Sequence, residues 1–360
     1  MTLDLGLAPA ELALQLVDIP SVSGTEAPLA DAVQAALAHL PHLRIGREGN
    51  ALVASTELGR RTRVVVAGHL DTVPIKNNVP GRLADGVLWG RGAVDMKGGL
   101  AAMLSAAALL DAPHSDVTWV FYDNEEVTRD LSGLGKLIER HPDWVTGDFG
   151  ILCEPTRAGL EGGCNGTLRV DVMARGQAAH SARPWAGRNA IHALVGALDR
   201  LVAFAPGSVR LDGLDYVESL SGVGLRGGGA GNVIPDEAAV TVNYRFAPDK
   251  SEAQALRIVE ALFNGFEVHL TDSAPGAAPG LNHPLAVRLA GVVAAHGGAP
   301  PRAKLGWTDV ARLAARGIPS VNLGPGDPAL AHRDDEACPA EQIDQVRSML
   351  VSFLSEPERF

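Results

Sequence analysis

The sequence predicts an α/β fold: a mostly parallel β-sheet covered by helices, with a smaller α+β domain inserted into it. Three observations support this prediction, namely the chain length, short apolar runs typical of buried strands, and helical apolar spacing between those runs. With 360 residues, the chain exceeds one ordinary hydrophobic core, so we expect two domains. Apolar residues make up 46% of the chain, which is typical of a compact enzyme rather than of a disordered protein.

In the larger domain, the predicted strands alternate with predicted helices. Apolar side chains at helical spacing predict helices at residues 8–18, 23–40 and 95–110. Short apolar runs predict buried strands at residues 63–68, 117–122, 149–153 and 319–323. Because strands joined through helices pair in parallel, this alternation favours a parallel sheet.

The middle of the chain follows a different pattern. In chain order it predicts a strand, a helix, two strands, a helix and a strand, at residues 168–174, 188–204, 216–222, 238–246, 252–263 and 266–270. This is the order of a split βαβ unit. We therefore expect an inserted domain at residues 167–276, within a larger domain of residues 1–166 and 277–360, with boundaries near Gly166 and in the Gly/Ala/Pro-rich stretch 273–280.

Composition and charge narrow the classes of partner and the cellular setting. The net charge is -11 without a Lys/Arg-rich run, which argues against nucleic acids and anionic membranes as partners. No secretory signal or membrane-spanning stretch is visible in the sequence. Three cysteines at unrelated spacings, Cys153, Cys164 and Cys338, do not predict a disulfide framework. We expect a cytoplasmic protein.

Residues able to bind a metal ion follow the predicted strands or lie in the loops that connect them to helices. They are His69, Asp95, Glu126, Glu154 and His332. Imidazole and carboxylate groups are zinc ligands, and ligands of α/β sheets gather beyond the carboxyl ends of the strands. Five such groups supply enough ligands for two ions.

Two of these residues have an acidic neighbour. Asp71 shares a face with His69, because side chains two apart on an extended chain point the same way, and a carboxylate beside a ligating imidazole can orient it. Glu125 directly precedes Glu126, so one carboxylate can bind metal while the other transfers protons.

Each residue taken alone has a simpler interpretation. His69 could be an incidental residue of a capped turn, Asp95 a helix N-cap, Glu154 a loop acid and His332 a surface histidine. We interpret Lys97 as a solvated or locally paired helix residue rather than a catalytic one. The joint order of the candidates favours a metal centre over these separate interpretations.

In their order and context these residues resemble the zinc-dependent M20 family of metallopeptidases and amidohydrolases, over nearly the whole chain. The resemblance implies that Asp95 bridges two zinc ions, with cobalt or manganese able to replace zinc at one site. It implies that His69 and Glu154 complete one ion and that Glu126 and His332 complete the other. It further implies that Glu125 is the general base and that Asp71 supports His69.

The inserted domain carries further positions that match the family. The residue matching His180 reaches into the active site of the partner subunit in family dimers, which implies a homodimer formed through this domain. Positions matching Asn232 and Arg245 hold substrate carboxylates, Arg183 being a further candidate, and arginine suits this role because it donates bidentately. For His180 and Arg183 the alternative is an exposed side chain without a role.

The resemblance implies hydrolysis of the amide bond of a small N-acyl amino acid. The similarity is strongest to the shorter, actinobacterial-like members that release succinate from N-succinyl-LL-2,6-diaminopimelate in lysine biosynthesis. Longer members carry arginine near residues 164–167, which are Cys-Asn-Gly-Thr here, so the acyl specificity stays open. Cys164 is interpreted as a small packed residue.

Two alternatives remain beside this expectation. One is another deacylase of the family, acting on N-acetylornithine or on other N-acyl amino acids, which the metal ligands do not distinguish. The other is a non-catalytic metal-binding or interaction protein on the same scaffold. The second alternative predicts loss of the base or of a ligand, whereas Glu125 and all five ligand candidates are present.

Overall fold

The computed structural model describes residues 2–357. Among these residues the α-helices are α1 (Pro9–Val17), α2 (Ala27–Leu37), α3 (Lys97–Leu109), α4 (Gly133–Arg140), α5 (Ala190–Ala203), α6 (Glu252–Leu262), α7 (Pro284–Ala295), α8 (Val310–Ala315) and α9 (Ala340–Ser355). Short 3₁₀ helices cover Arg129–Leu131, Pro184–Ala186 and Pro328–Leu330. None of the helices within residues 2–357 is both long and apolar enough to span a membrane.

The strands are shorter and more numerous than the helices. They are β1 (Arg44–Glu48), β2 (Ala51–Ser55), β3 (Arg63–His69), β4 (Arg82–Ala84), β5 (Val87–Trp89), β6 (Asp116–Tyr122), β7 (Phe149–Leu152), β8 (Glu161–Gly162), β9 (Gly166–Arg175), β10 (Ala179–His180), β11 (Ser208–Leu211), β12 (Leu214–Val217), β13 (Ser219–Gly227), β14 (Val233–Ile234), β15 (Glu237–Phe246), β16 (Glu267–Ala274), β17 (Arg302–Ala303), β18 (Ser320–Asn322) and β19 (Ala337–Pro339). The predicted strand at residues 216–222 is wrong as one element, because the chain forms β12 and β13 there.

The described residues form two compact units. The first contains residues 2–162, 279–302 and 312–357, and the second contains residues 163–278 and 303–311. The sequence predicts an inserted domain at residues 167–276. The second unit extends a few residues beyond both of these boundaries and also contains the stretch 303–311, which is predicted to lie in the larger domain.

A mixed sheet forms the centre of the first unit, in the order β1-β2-β6-β3-β7-β18-β8 with the two-residue β17 at the far edge. Its central strands β6, β3, β7 and β18 are parallel, whereas β1, β2 and β8 pair antiparallel at the margins. Every residue of β6 is buried, as expected for strands of a parallel sheet covered on both faces. The predicted fold class is confirmed.

Helix α3 lies close to this sheet because its first turn contains glycine. A Cβ atom on Gly99 would lie 2.2 Å from the carbonyl oxygen of Cys153, directly after β7. Any larger residue would have to push the helix away from the strand. The glycine therefore lets the beginning of α3 approach the carboxyl end of β7.

The second unit is built on a four-stranded antiparallel sheet in the order β13-β15-β9-β16. Helices α5 and α6 pack on one face of it, where alternate residues of β9 and β15 form a core with Leu194 and Val259. The chain order β9-α5-β13-β15-α6-β16 is that of the predicted split βαβ unit. Two short pairs, β10 with β14 and β11 with β12, lie outside this sheet.

Candidate metal centre

Three of the predicted ligands follow adjacent parallel strands. His69 is the last residue of β3, Glu126 follows the end of β6, and Glu154 follows the end of β7. Since β3 pairs in parallel with both β6 and β7, the three residues gather at one edge of the sheet. Asp95 lies directly ahead of α3, and His332 lies in the loop after the 3₁₀ helix Pro328–Leu330.

Asp95 lies between the two histidines, and each of its carboxylate oxygens faces one ring. His69 Nε2 is 3.0 Å from Asp95 Oδ1, and His332 Nε2 is 3.3 Å from Asp95 Oδ2. The helix N-cap is Met96 and makes no side-chain capping bond, so the interpretation of Asp95 as an N-cap is wrong. A carboxylate that offers its two oxygens in two directions is suited to bridge two ions.

Each of the two remaining carboxylates lies near one of the two histidines. Glu154 Oε1 is 4.0 Å from His69 Nε2, whereas Glu126 Oε1 is 2.8 Å from His332 Nε2. One ligand atom each of His69, Asp95 and Glu126 lies within 4.8 Å of the others. The structure thus brings all five candidates together in two groups around Asp95, although their role as ligands stays a prediction.

The charges of the side chains in this cluster indicate whether metal ions would fit between them. Its side chains comprise two imidazoles and four carboxylates, those of His69, His332, Asp71, Asp95, Glu126 and Glu154. Even with both rings protonated the carboxylates exceed them by two charges. Nitrogen and oxygen donors with excess negative charge suit divalent ions of the zinc class.

The two histidines strongly favour the protonated form in the absence of metal. Contacts with Asp95 and Glu126 raise the pKa of His332 to about 10. Burial disfavours the charged form of His69, but Asp71 and Asp95 outweigh it and raise the pKa of that ring well above its usual value. Burial likewise opposes ionisation of Asp95, yet the two rings hold its pKa well below the usual range. A metal ion therefore has to displace imidazole protons.

Asp71 connects His69 with the loop that carries Glu125 and Glu126. Its carboxylate accepts the backbone N–H groups of Glu125 at 2.9 Å and Glu126 at 3.0 Å and the hydroxyl of Ser23 at 2.8 Å. Its carbonyl oxygen lies 2.9 Å from His69 Nδ1, nearer than its carboxylate at 3.5 Å. Burial raises the pKa of Asp71, but His69 and the two backbone donors outweigh this and lower it.

Two buried residues near the candidate ligands are not predicted from the sequence to belong to the site. Lys97, interpreted there as solvated or locally paired, is completely buried and donates from Nζ to the carbonyl oxygen of Ile19 at 2.8 Å. Burial lowers its pKa to about 7. Glu336, for which no prediction is made from the sequence, is also buried.

In the second unit the structure brings two of the predicted residues together. His180 pairs with Val233 in the β10–β14 ladder, and Ser181 donates its backbone N–H to the carbonyl oxygen of Asn232 at 2.9 Å. His180 Nδ1 accepts the N–H of Ala182 at 3.1 Å, so the neutral ring carries its proton on Nε2. His180 and Asn232 are both exposed.

The other residues of the second unit are placed differently. Arg183 is exposed beside the 3₁₀ helix Pro184–Ala186. Arg245 lies near the far end of β15, about 26 Å along the strand from its start at Glu237, so it is not next to His180 or Asn232. Cys164 is fully buried, and burial raises its thiol pKa to about 11, which argues against a nucleophile.

The chain is similar to known proteins in both sequence and structure. The model of peptidase family M20/M25/M40 matches residues 65–356. A Mycobacterium tuberculosis protein provisionally named succinyl-diaminopimelate desuccinylase DapE is 52% identical over 355 residues, which cover 98% of this chain and 99% of the relative. Succinyl-diaminopimelate desuccinylase of Corynebacterium glutamicum is 44% identical over 365 residues, covering 98% of each chain.

Solved structures share the fold at low sequence identity. A tripeptidase of Staphylococcus aureus superposes with a TM-score of 0.79 at 21% identity, over 99% of both chains. The YXEP protein of Bacillus subtilis, described as a dinuclear metal-binding peptidase, superposes with a TM-score of 0.68 at 17% identity, over 96% of this chain and 97% of its own. These similarities show the fold alone.

Proposed function

Because the chain belongs to peptidase family M20/M25/M40, we propose that it is a metal-dependent hydrolase that releases succinate from N-succinyl-LL-2,6-diaminopimelate. The observation that carries this proposal is the near-full-length similarity to the Mycobacterium and Corynebacterium relatives. The reaction belongs to the biosynthesis of diaminopimelate and lysine. Cysteines that are free and buried at all three positions support a reducing, cytoplasmic setting.

The metal centre proposed for this reaction holds two zinc ions, with cobalt or manganese able to replace one of them. Asp95 would bridge the two ions, His69 and Glu154 would hold one of them, and Glu126 and His332 would hold the other. When bound, two such ions would polarise the carbonyl of the scissile amide and lower the pKa of a water molecule. The opposed imidazole contacts of Asp95 support its assignment as the bridge.

Glu125 is the general base of the proposed mechanism. It takes a proton from the attacking water and donates it to the nitrogen of the leaving amine, so the side chain returns to its initial state. The hydrogen bond from its backbone N–H to Asp71 fixes the loop on which it lies. Asp71 thereby orients both the base and, through its backbone carbonyl, the imidazole of His69.

We propose that the second unit supplies substrate contacts and forms a homodimer. Asn232, Arg245 and Arg183 are proposed to bind the carboxylates of the substrate, and His180 to donate to the developing oxyanion in the active site of the partner subunit. The tautomer of His180, with its proton on Nε2, supports the role of a donor.

An exposed apolar edge of the second unit supports the proposed dimer. Strand β13 is the outermost strand of its sheet, and Val223 and Leu225 on it are 60% and 68% exposed. Helix α5 adds Val202, which is 89% exposed. The outer edge of a sheet with apolar side chains exposed on it is a surface that native proteins cover.

Sedimentation of two matched variants tests the dimer. Leu225→Glu should convert the protein to monomers, because it places a charge on the proposed interface, whereas Leu109→Glu should leave the oligomeric state unchanged. Leu109 is similarly exposed, at 57%, but lies at the end of α3. Monomeric wild-type protein would contradict the proposal.

The function is tested by hydrolysis of a panel of N-succinyl and N-acetyl amino acids by the purified protein loaded with zinc. We expect N-succinyl-LL-2,6-diaminopimelate to be cleaved with the highest kcat/KM, and chelation to abolish the activity. Preferred cleavage of N-acetylornithine would identify a different deacylase of the family. Absence of hydrolysis of every amide by zinc-loaded protein would favour a non-catalytic metal-binding protein.

A further inference from the structure

Glu336 makes four hydrogen bonds to the segment that ends at Asp95. Its Oε1 accepts the backbone N–H groups of Val94 at 2.9 Å and Asp95 at 3.0 Å. Its Oε2 accepts the N–H of Gly92 at 3.0 Å and the guanidinium of Arg91 at 2.9 Å. The side chain is only 1% exposed, so no solvent replaces these bonds. One carboxylate therefore satisfies three backbone donors just ahead of α3.

The segment depends on such a partner because its backbone is not in regular structure. Gly92 has a φ of +85°, and a Cβ there would lie 2.9 Å from Thr72, so the turn needs glycine. Helix α3 begins only at Lys97, so the N–H groups of Gly92, Val94 and Asp95 lie ahead of the donors of the helix. Buried N–H groups without a partner are costly. Glu336 thus defines the backbone position from which the Asp95 carboxylate extends.

Arg91 extends the same contact to the loop of His332. Its Nη1 also donates to the carbonyl oxygen of Arg333 at 3.1 Å, the residue directly after His332. Arg91 is 2% exposed, and its charge is balanced by Glu336. His332 itself lies outside helices and strands with a φ of +66°, and its side chain is 52% exposed. Its position is therefore constrained by the contacts of the ring with Asp95 and Glu126 and by the hydrogen bond from Arg91 to the neighbouring Arg333.

We propose that Glu336, assisted by Arg91, is a positioning residue that holds Asp95 and His332 at the separation that metal binding requires. Glu336 binds no metal in this proposal. It joins the backbone of the bridging ligand to the loop of a ligand more than 230 residues away in the chain. The proposal rests on the metal centre under Proposed function, but not on the identity of the substrate.

The chain contains a matched control for this carboxylate. Asp116, which is 3% exposed, accepts the hydroxyl of Thr56 at 2.8 Å and the backbone N–H groups of Leu58 at 2.8 Å and Arg60 at 2.9 Å. It also pairs with Arg63 at 3.6 Å. Asp116 is thus a buried acid with backbone donors and an arginine, but it is the first residue of β6, whereas the metal ligands follow the strand ends.

The experiment compares Glu336→Gln with Asp116→Asn. Both oxygens of each carboxylate accept hydrogen bonds, so the NH₂ group of the new carboxamide faces a donor in either orientation. Both variants should therefore lower the melting temperature of the metal-free protein. Zinc affinity is measured by competition with a chromogenic chelator. We expect Glu336→Gln to weaken zinc binding about 10- to 100-fold, as for other groups that orient metal ligands, and Asp116→Asn to leave it unchanged. Equal zinc affinity of the two variants would overturn the proposal.

A second variant keeps the test decisive if Glu336→Gln does not fold. Arg91→Lys retains the charge and leaves the three backbone donors of Glu336 in place. Its side chain, however, is one atom shorter than the path to Nη1, the nitrogen that donates to both Glu336 and Arg333. We expect weaker binding of one of the two zinc ions. Unchanged binding of both would overturn the proposal.

The two proposals fail in different ways. Wild-type protein that binds two zinc ions but does not cleave N-succinyl-LL-2,6-diaminopimelate would overturn the proposed substrate and leave the role of Glu336 intact. Wild-type protein that binds no zinc would overturn both.

Discussion

The two ends of the central strands bury carboxylates in contrasting ways. At the beginning of β6, Asp116 is surrounded by a hydroxyl, two backbone N–H groups and Arg63. Beyond the strand ends, Asp95 contacts two imidazoles within a cluster that contains more carboxylates than bases.

This difference separates an acid that stabilises the fold from one that is available to a ligand. The partners of Asp116 are hydrogen-bond donors, and backbone N–H groups and a guanidinium do not bind metal ions. The partners of Asp95 are imidazole rings, a group that can bind metal once its proton leaves. A buried acid is therefore informative about function through the nature of its donors rather than through burial alone.

The largest expected effect at the metal end concerns Glu125. Glu125→Gln should lower kcat about 10²- to 10⁴-fold, because proton transfer is lost, while the protein keeps two equivalents of zinc. Elemental analysis and steady-state kinetics check the two parts separately. Full activity of this variant would show that another group is the base.

Metal binding at the end of the sheet that carries the two histidines should release protons. No such release is expected at the opposite end, where Asp116 lies. The raised pKa values of His69 and His332 mean that both rings are protonated in the metal-free protein at neutral pH. Zinc and protons compete for the two rings. Zinc affinity should therefore fall about tenfold, for each proton displaced, with every unit by which the pH is lowered. Calorimetry in buffers of different ionisation enthalpy measures the protons released. Binding without proton release would contradict the pKa shifts.

Replacing the glycine that packs α3 against β7 should change the free energy of unfolding more than replacing an exposed glycine of another helix. Gly99→Ala should lower the free energy of unfolding of the metal-free protein by about 1–3 kcal/mol, because the new Cβ meets Cys153. Gly291→Ala in α7 is the control, since nothing lies within 4 Å of its Cβ position. It should raise stability by about 0.5–1 kcal/mol. Urea unfolding distinguishes the two results.

The smallest expected effect concerns Asp116. Burial raises its pKa, but Leu58, Thr56, Arg60 and Arg63 together lower it. A carboxyl with a lowered folded-state pKa contributes stability above its unfolded pKa and loses that contribution as pH falls through the folded value. Asp116→Asn should therefore cost about 1 kcal/mol at neutral pH, with a smaller difference from wild type at acidic pH. A pH-independent difference would show that ionisation of Asp116 is not involved.

Much of the fold could be predicted because strong local patterns coincide with tertiary elements. The apolar run predicted at residues 117–122 is β6, and helical spacing placed α1 and α6 within one residue at each end. Strand β1, Arg44–Glu48, was missed because its sequence is largely polar and it lies at an edge. A usable signal was present in Gly49-Asn50, a pair typical of two-residue hairpin turns.

The ligand types and their order are properties of the sequence. Five imidazole or carboxylate residues beside predicted strand ends were sufficient to indicate a metal centre, and their resemblance to a family of metallohydrolases agrees with the family to which the chain belongs. These features are readable because chemistry requires particular side chains and because parallel strands deliver their ends to one edge of a sheet.

Only the tertiary structure distinguished the acids from one another. Glu336 directly follows two other acids in the chain, yet folding buries it alone among them, against the N–H groups of Gly92, Val94 and Asp95. Lys97, predicted to be solvated or locally paired, is buried as well and bonds to the distant Ile19. Burial and hydrogen-bond partners depend on contacts between segments far apart in the chain, and no local pattern of side chains specifies them. The choice between a metal ligand, a residue that positions it and a solvated acid is therefore made by long-range packing.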